Sequence, residues 1–122
     1  MASPNRPFLP AVLAFLLGSP VLALTRDSQY FLDKGNIYMK EGKTETAIQY
    51  FKEAIEQDPY NAQARNNLGK LYAQKGMHDE ALEQLDKALS LRDNYVEAFS
   101  NKSYVQIQKH LYQQAVQSAR KA

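Results

Sequence analysis

The sequence predicts an all-α fold, an array of about three helix–turn–helix units behind a short targeting segment. Three observations carry this. Residues of the same kind recur at a fixed offset of 34, which marks stacked supersecondary units. Apolar residues between the recurring anchors fall three and four apart, the spacing of one helix face. Glycine and proline are few, at five each, which disfavours a turn-dense β architecture.

The chain opens with a segment of its own kind. Arg6 precedes an apolar stretch from Phe8 to Leu24 that Pro10, Gly18, Ser19 and Pro20 interrupt. A positive start, an apolar middle and the small-residue exit Val21-Leu22-Ala23 describe a secretory signal peptide, with cleavage after Ala23. The competing reading is an uncleaved tether through residues 8–24, whose 17 residues sit at the lower edge of what spans a bilayer. Both readings place residues 24–122 outside the cytoplasm: secreted, periplasmic or lumenal.

The remainder divides into units 28–61, 62–95 and an incomplete 96–122. Gly35 and Gly69 share the offset with Ser103, Tyr38 with Tyr72, and Gly42 with Gly76. Ala47, Ala81 and Ala115 form one set; Ile48, Leu82 and Val116 another; Ala54, Ala88 and Ala122 a third. Ala47, Ile48, Phe51, Ala54 and Ile55 draw an apolar stripe, and Ala81, Leu82, Leu85, Ala88 and Leu89 repeat it. Thr44 is the expected N-cap of the helix that follows Gly42. Asp58, before Pro59, is pushed out of the helical region, and Asn61 caps the next helix, with Asn94 expected to do so one unit later. This gives about six antiparallel helices. Tyr60 and Tyr95 fall at turns between units, where partial exposure is expected.

Phe31, Gly35, Tyr38, Ala47, Phe51, Ala54 and Pro59 together resemble one complete tetratricopeptide repeat (TPR). The second unit matches at Leu68, Gly69, Tyr72, Ala81, Leu85 and Ala88, and departs at Arg65 and Asp93, where the family has a large apolar residue and a proline. The third keeps Phe99, Ala115 and Ala122 but has Ser103 for glycine and Gln106 for tyrosine. The resemblance implies a right-handed α-solenoid whose first helices line a concave groove, serving as a non-enzymatic scaffold for an extended peptide or partner protein.

Composition narrows the chemistry. Fifteen Lys and Arg against thirteen Asp and Glu give no strong basic bias, and no nucleic-acid partner is expected. With no cysteine there is no disulfide framework or thiolate zinc site. His78 and His110, the two histidines, read as surface turn residues without ligand spacing. Glu41, Glu45, Glu53, Glu56, Asp79, Glu80 and Glu83 read as solvated outer faces, with Glu83 one turn from Lys87. No catalytic constellation, metal site or cofactor site is expected.

The candidate site is the groove. Asp33, Asn67 and Asn101 recur 34 apart, two residues before the anchor glycine positions. The resemblance implies that amides here hydrogen-bond a peptide backbone, and an amide does offer both a donor and an acceptor. Asn36 and Lys70 follow the glycines, and Gln63, Asn66, Gln74 and Tyr104 extend the surface. Co-chaperone TPR domains add cations that clamp a carboxylate; here Leu32, Glu97 and Asn101 stand at those places, which argues against that subtype. Two alternatives remain: self-association through Leu111, Ala115 and Val116 of the open third unit, and a role as the N-terminal part of a larger TPR-containing enzyme.

Overall fold

The computed structural model describes residues 20–121. Residues 1–19 of the expected targeting segment lie outside the described residues. Among those described are five helices and no strand: α1 (Pro20–Lys40), α2 (Thr44–Gln57), α3 (Ala62–Gln74), α4 (His78–Leu91) and α5 (Val96–Lys121). None of the described helices is long and apolar enough to cross a membrane. They stack in order as a right-handed α-solenoid: α1 packs on α2, α3 on α4, and α5 on α4, with α3 touching both α2 and α5.

The hairpin turns have one chemistry. At the end of α1 the Gly42 amide donates to the Met39 carbonyl (3.1 Å) and Lys43 to Tyr38 (2.9 Å). At the end of α3 Gly76 donates to Ala73 (3.0 Å) and Met77 to Tyr72 (2.9 Å). This crossed pair of bonds satisfies the last carbonyls of each helix and needs a left-handed residue between them. Gly42 at φ +74° and Gly76 at +75° supply it.

The third turn is not made, so the described residues form five helices rather than six. His110 stands 34 residues after Gly76, and α5 runs through it without a break to Lys121. A β-carbon in the left-handed region costs about 1–2 kcal/mol, whereas continuing an existing helix adds a hydrogen bond per residue. His110 is accordingly a mid-helix residue on the surface, not a turn residue.

The caps differ in two places from the sequence reading. Lys43, not Thr44, is the N-cap of α2; its carbonyl accepts from the Ala47 amide at 3.0 Å. Asn94 lies at φ +56°, two residues before α5, and the helix is entered through Tyr95, whose carbonyl accepts from Phe99 (3.0 Å). Asn61 does cap α3, its Oδ1 accepting from the Ala64 amide (3.0 Å). Asp58 leaves the helical region before Pro59, at φ −140°, ψ 96°. Arg92 adopts nearly the same conformation, φ −139°, ψ 112°, although Asp93 replaces the proline.

The core has two parts. Leu32, Ala47, Ile48, Phe51, Ala54, Ala64, Leu68 and Leu71 form the first, and Ala81, Leu85, Ala88, Tyr95, Ala98 and Val105 the second. Tyr72 packs against both. Close approach depends on glycine: a β-carbon at Gly35 would lie 2.5 Å from the Phe51 ring, and one at Gly69 2.7 Å from Leu85 Cγ. Tyr38 stacks on Tyr50 with centroids 5.3 Å apart. Buried Ser28 ties three helices, donating to the Ala54 carbonyl (2.9 Å) and accepting from Asn61 Nδ2 (3.0 Å). Arg65, a departure from the apolar pattern, bridges instead: its Nε donates to the Pro59 carbonyl and a terminal nitrogen to Gln84 Oε1, both at 3.0 Å.

Two glycine substitutions separate packing from backbone conformation. Gly69→Ala gains about 1 kcal/mol of helix propensity but overpacks against Leu85 and the Ala81 carbonyl, and should lose about 1–2 kcal/mol net in urea denaturation. Leu85→Ala introduced alongside should recover part of that loss. Gly76→Ala meets no neighbour within 4 Å and should cost about 1 kcal/mol through its left-handed backbone alone. A Gly69→Ala protein more stable than wild type would refute the packing account.

Candidate peptide groove

The first helices of successive units, α1, α3 and the N-terminal half of α5, are joined by a chain of four amides. Asn101 Nδ2 donates to Asn66 Oδ1 at 3.0 Å. Asn66 Nδ2 donates to Asn67 Oδ1 at 3.4 Å, and Asn67 Nδ2 donates to Asn36 Oδ1 at 2.8 Å. The 34-residue repeat puts asparagines at matching heights on neighbouring helices, which is why side chains 31 and 35 residues apart can meet.

The relay sorts the candidate residues. Asn66 is 0 % exposed and Asn67 6 %, so their amides serve the contact between helices. A buried amide must find partners, and no buried side-chain nitrogen or oxygen among the described residues lacks one. Because the relay runs one way, its terminal groups are the Asn101 carbonyl oxygen and the Asn36 amide nitrogen. These offer an acceptor at one end and a donor at the other, at half-buried positions. Tyr95, expected to be partly exposed, is buried next to this chain, with the Arg92 guanidinium 4.5 Å from its ring centroid. Burial pushes the Tyr95 hydroxyl pKa up and the Glu97 charge adds to this, while Arg92 and the Asn66 amide pull the other way.

Beside the relay Lys70, Ala73, Gln74, Asn101 and Tyr104 enclose a recess of about 190 Å³ between α3 and α5. The structure thus brings Lys70, Asn101 and Tyr104 to one place, with Gln74 beside them. Tyr104 is exposed and Lys70 half-buried. Asp33 and Gln63 are exposed and do not join this cluster; Asp33 accepts from Gln29 Nε2 at 2.8 Å. The sequence reading missed Ala73. Its signal is the register, since Met39 and Ile107 occupy the same place in the other units and the small residue opens the gap.

The outer faces are as the charge pattern suggests. All seven singled-out acidic residues are exposed, and Lys87 Nζ lies 2.9 Å from Glu83. No group of His, Asp or Glu side chains among the described residues could hold a metal ion.

Comparison with known proteins agrees with the geometry. Two family profiles match, the TPR repeat over residues 35–76 and the tetratricopeptide repeat over 62–95. The chain belongs to the tetratricopeptide-repeat family. A comparison with curated proteins gives no match. Similar solved structures include the second TPR of Spaghetti (RPAP3) bound to the HSP90 peptide SRMEEVD, 26 % identical with a TM-score of 0.68, over 79 % of this chain and 89 % of that one. The first TPR of the same protein, with the same peptide, is 25 % identical with a TM-score of 0.67, over 69 % and 67 %. The Arabidopsis OM64 TPR domain has a TM-score of 0.69 at 21 % identity, over 80 % of each chain.

Burial of the relay makes its centre a stability element. Asn66→Ala strands Asn101 Nδ2 and Asn67 Oδ1 and should cost about 2–3 kcal/mol in urea denaturation. Asn101→Ala, at a half-buried end that water reaches, should cost about 1 kcal/mol or less. Equal losses would mean that the amides do not act as a chain.

Proposed function

We propose that this chain is a non-enzymatic interaction scaffold that holds an extended peptide or partner protein in its concave groove, outside the cytoplasm. The observation that carries the reading is the recess at Lys70, Gln74, Asn101 and Tyr104, set beside a relay that ends in one open acceptor and one open donor. An extended backbone offers the complementary pair, and the exposed Tyr104 ring offers area to whatever side chain enters. The two Spaghetti TPRs, each bound to the HSP90 peptide SRMEEVD, support a peptide as the class of ligand. Export, or an N-terminal tether through residues 8–24, rests on the order of charge and apolar residues in that segment.

The ligand should differ from a chaperone tail. Of the residues at the clamp's cationic places, Leu32 is buried in the core, Glu97 is acidic and Asn101 belongs to the relay. Lys70 is the one candidate groove residue that is cationic, which suits a neutral or weakly acidic segment rather than a terminal carboxylate.

Both points can be measured by fluorescence anisotropy. The peptide SRMEEVD should bind no better than its C-terminally amidated form, within about twofold, because no cationic pair meets the carboxylate. For peptides selected from an extended-peptide array, Tyr104→Ala and Lys70→Ala should each weaken binding about tenfold without changing the circular dichroism spectrum. Array binding that both variants leave unchanged would end the groove reading.

A further inference from the structure

Helix α5 carries apolar residues on two opposite sides. One side packs into the stack through the buried Ala98 and Val105. The other faces solvent: Val96, Phe99, Ile107 and Leu111 are between 52 % and 75 % exposed. At about 100° of turn per residue, these four and Ser103 fall inside one arc of about 120°. Phe99, Ser103, Ile107 and Leu111 follow each other at steps of four, which makes a single ridge along the helix.

This face is also without charge. Between Glu97 and Arg120 the charged residues of α5 are Lys102 and Lys109. Both turn back to α4, Lys102 Nζ lying 2.7 Å from Asp86 and Lys109 Nζ 2.7 Å from Asp79. The Lys109 ammonium holds the Asp79 carboxyl below its usual range. The exposed sides of α2 and α4 are of the opposite kind, with Glu45, Lys52 and Glu53 on one and Glu80, Glu83 and Lys87 on the other. A surface helix with apolar residues on both sides is one whose outer side is covered in its working state.

Two properties select a second copy of this chain as the cover. The four apolar side chains expose on the order of 500 Å², the upper end of what a monomer leaves open as one patch. With the exposed Ser100, Tyr104 and Gln114 beside them, the face approaches the roughly 800 Å² per partner of a standard interface. The stripe also reads alike in both directions. Large apolar residues stand four positions from Ser103 on each side (Phe99 and Ile107), and again seven before it and eight after it (Val96 and Leu111). Such a pattern is its own complement about a twofold axis.

We propose that two copies of this chain pair through this face of α5, antiparallel, with the twofold axis at Ser103. Phe99 of each copy then lies against Ile107 of the other, and Val96 and Leu111 close the flanks. Ridges of this four-residue spacing cross at about −50°, and the small serine at the crossing lets the axes approach to about 8 Å. The two stacks stand on the outer sides of the pair, and no like charges meet between them. The peptide reading of the groove is not needed, since Asn101 stands about 140° around α5 from the middle of the stripe.

In sedimentation equilibrium the full chain should form a reversible dimer. Ile107→Glu sets a carboxylate against apolar side chains and should weaken dimerisation at least about tenfold. Gln49→Glu makes the same change of net charge on an exposed position of α2 and should leave it within about twofold. Circular dichroism is expected to show both variants as helical as the wild type. Equal dimerisation of Ile107→Glu and wild type would overturn the proposal. The chain has no cysteine, so a single Ser103→Cys substitution tests the axis directly. On oxidation it should give a disulfide dimer in several-fold higher yield than Glu53→Cys on the outer side of α2, and equal yields would overturn the pairing. A wild type that stays monomeric up to near-millimolar concentration would also overturn it, and would leave the face to a different protein.

Discussion

The structure depends on how closely two helices of one hairpin can approach. At Gly35 and Gly69 there is no room for a β-carbon, because Phe51 and Leu85 fill the space one would need. This contact sets the spacing within each pair, and each pair then presents a fresh apolar face to the next. Short-range packing repeated at a fixed offset is what makes such a stack possible, since each unit needs only its neighbours. The amide relay across α1, α3 and α5 builds on that spacing.

The groove shows this most clearly. Asn36, Asn67 and Asn101 come from three different helices and could not meet unless the units stacked at matching heights. Asn66, fully buried, completes the line between them. The same residue type has two duties along one relay. Inside, an amide's donor and acceptor are both matched by other amides, which locks one helix against the next. At the ends, the same groups face a surface that a peptide could reach. Buried and half-buried asparagines are therefore links of one relay here, and only burial tells them apart.

That division explains what could be read from the sequence. The hairpins were legible because glycine, alanine and aromatic positions are fixed by sterics, and sterics recur at 34 residues whatever the surroundings. Arg65 and Asp93 looked like defects, yet the turns they flank are intact: Arg65 bonds across to Pro59 and Gln84, and Arg92 reaches the extended conformation without a following proline. Of the candidate groove residues Lys70, Gln74, Asn101 and Tyr104 meet at one recess and Asp33 and Gln63 do not, a division the repeat register alone does not make. Nothing local distinguishes Asn66 from Asn101, and the difference arises only when α1, α3 and α5 close around one of them. Ala73 was overlooked because a small residue announces itself only by the absence of what Met39 and Ile107 supply in the other units. Tyr95 was misplaced for a related reason: its site is a turn in sequence but an interior once Ala88 and Ala98 pack beneath it.

His110 is where local and repeat-level preferences part. The repeat calls for a turn, and the stripe at Ala115, Val116 and Ala119 continues as though one had been made. The backbone does not comply, because the turn at this place needs the left-handed conformation that Gly42 and Gly76 adopt and a side chain resists. Helix continuation then carries the stripe away from the face that matches it. The ion pairs of Lys102 and Lys109 with Asp86 and Asp79 hold α5 along α4 up to the end of the stack. They also fix Asn101 and Tyr104 over the groove. One long helix therefore closes the recess on one side and leaves Phe99 uncovered on the other, and the residue that ties these two consequences together is the one that failed to be glycine.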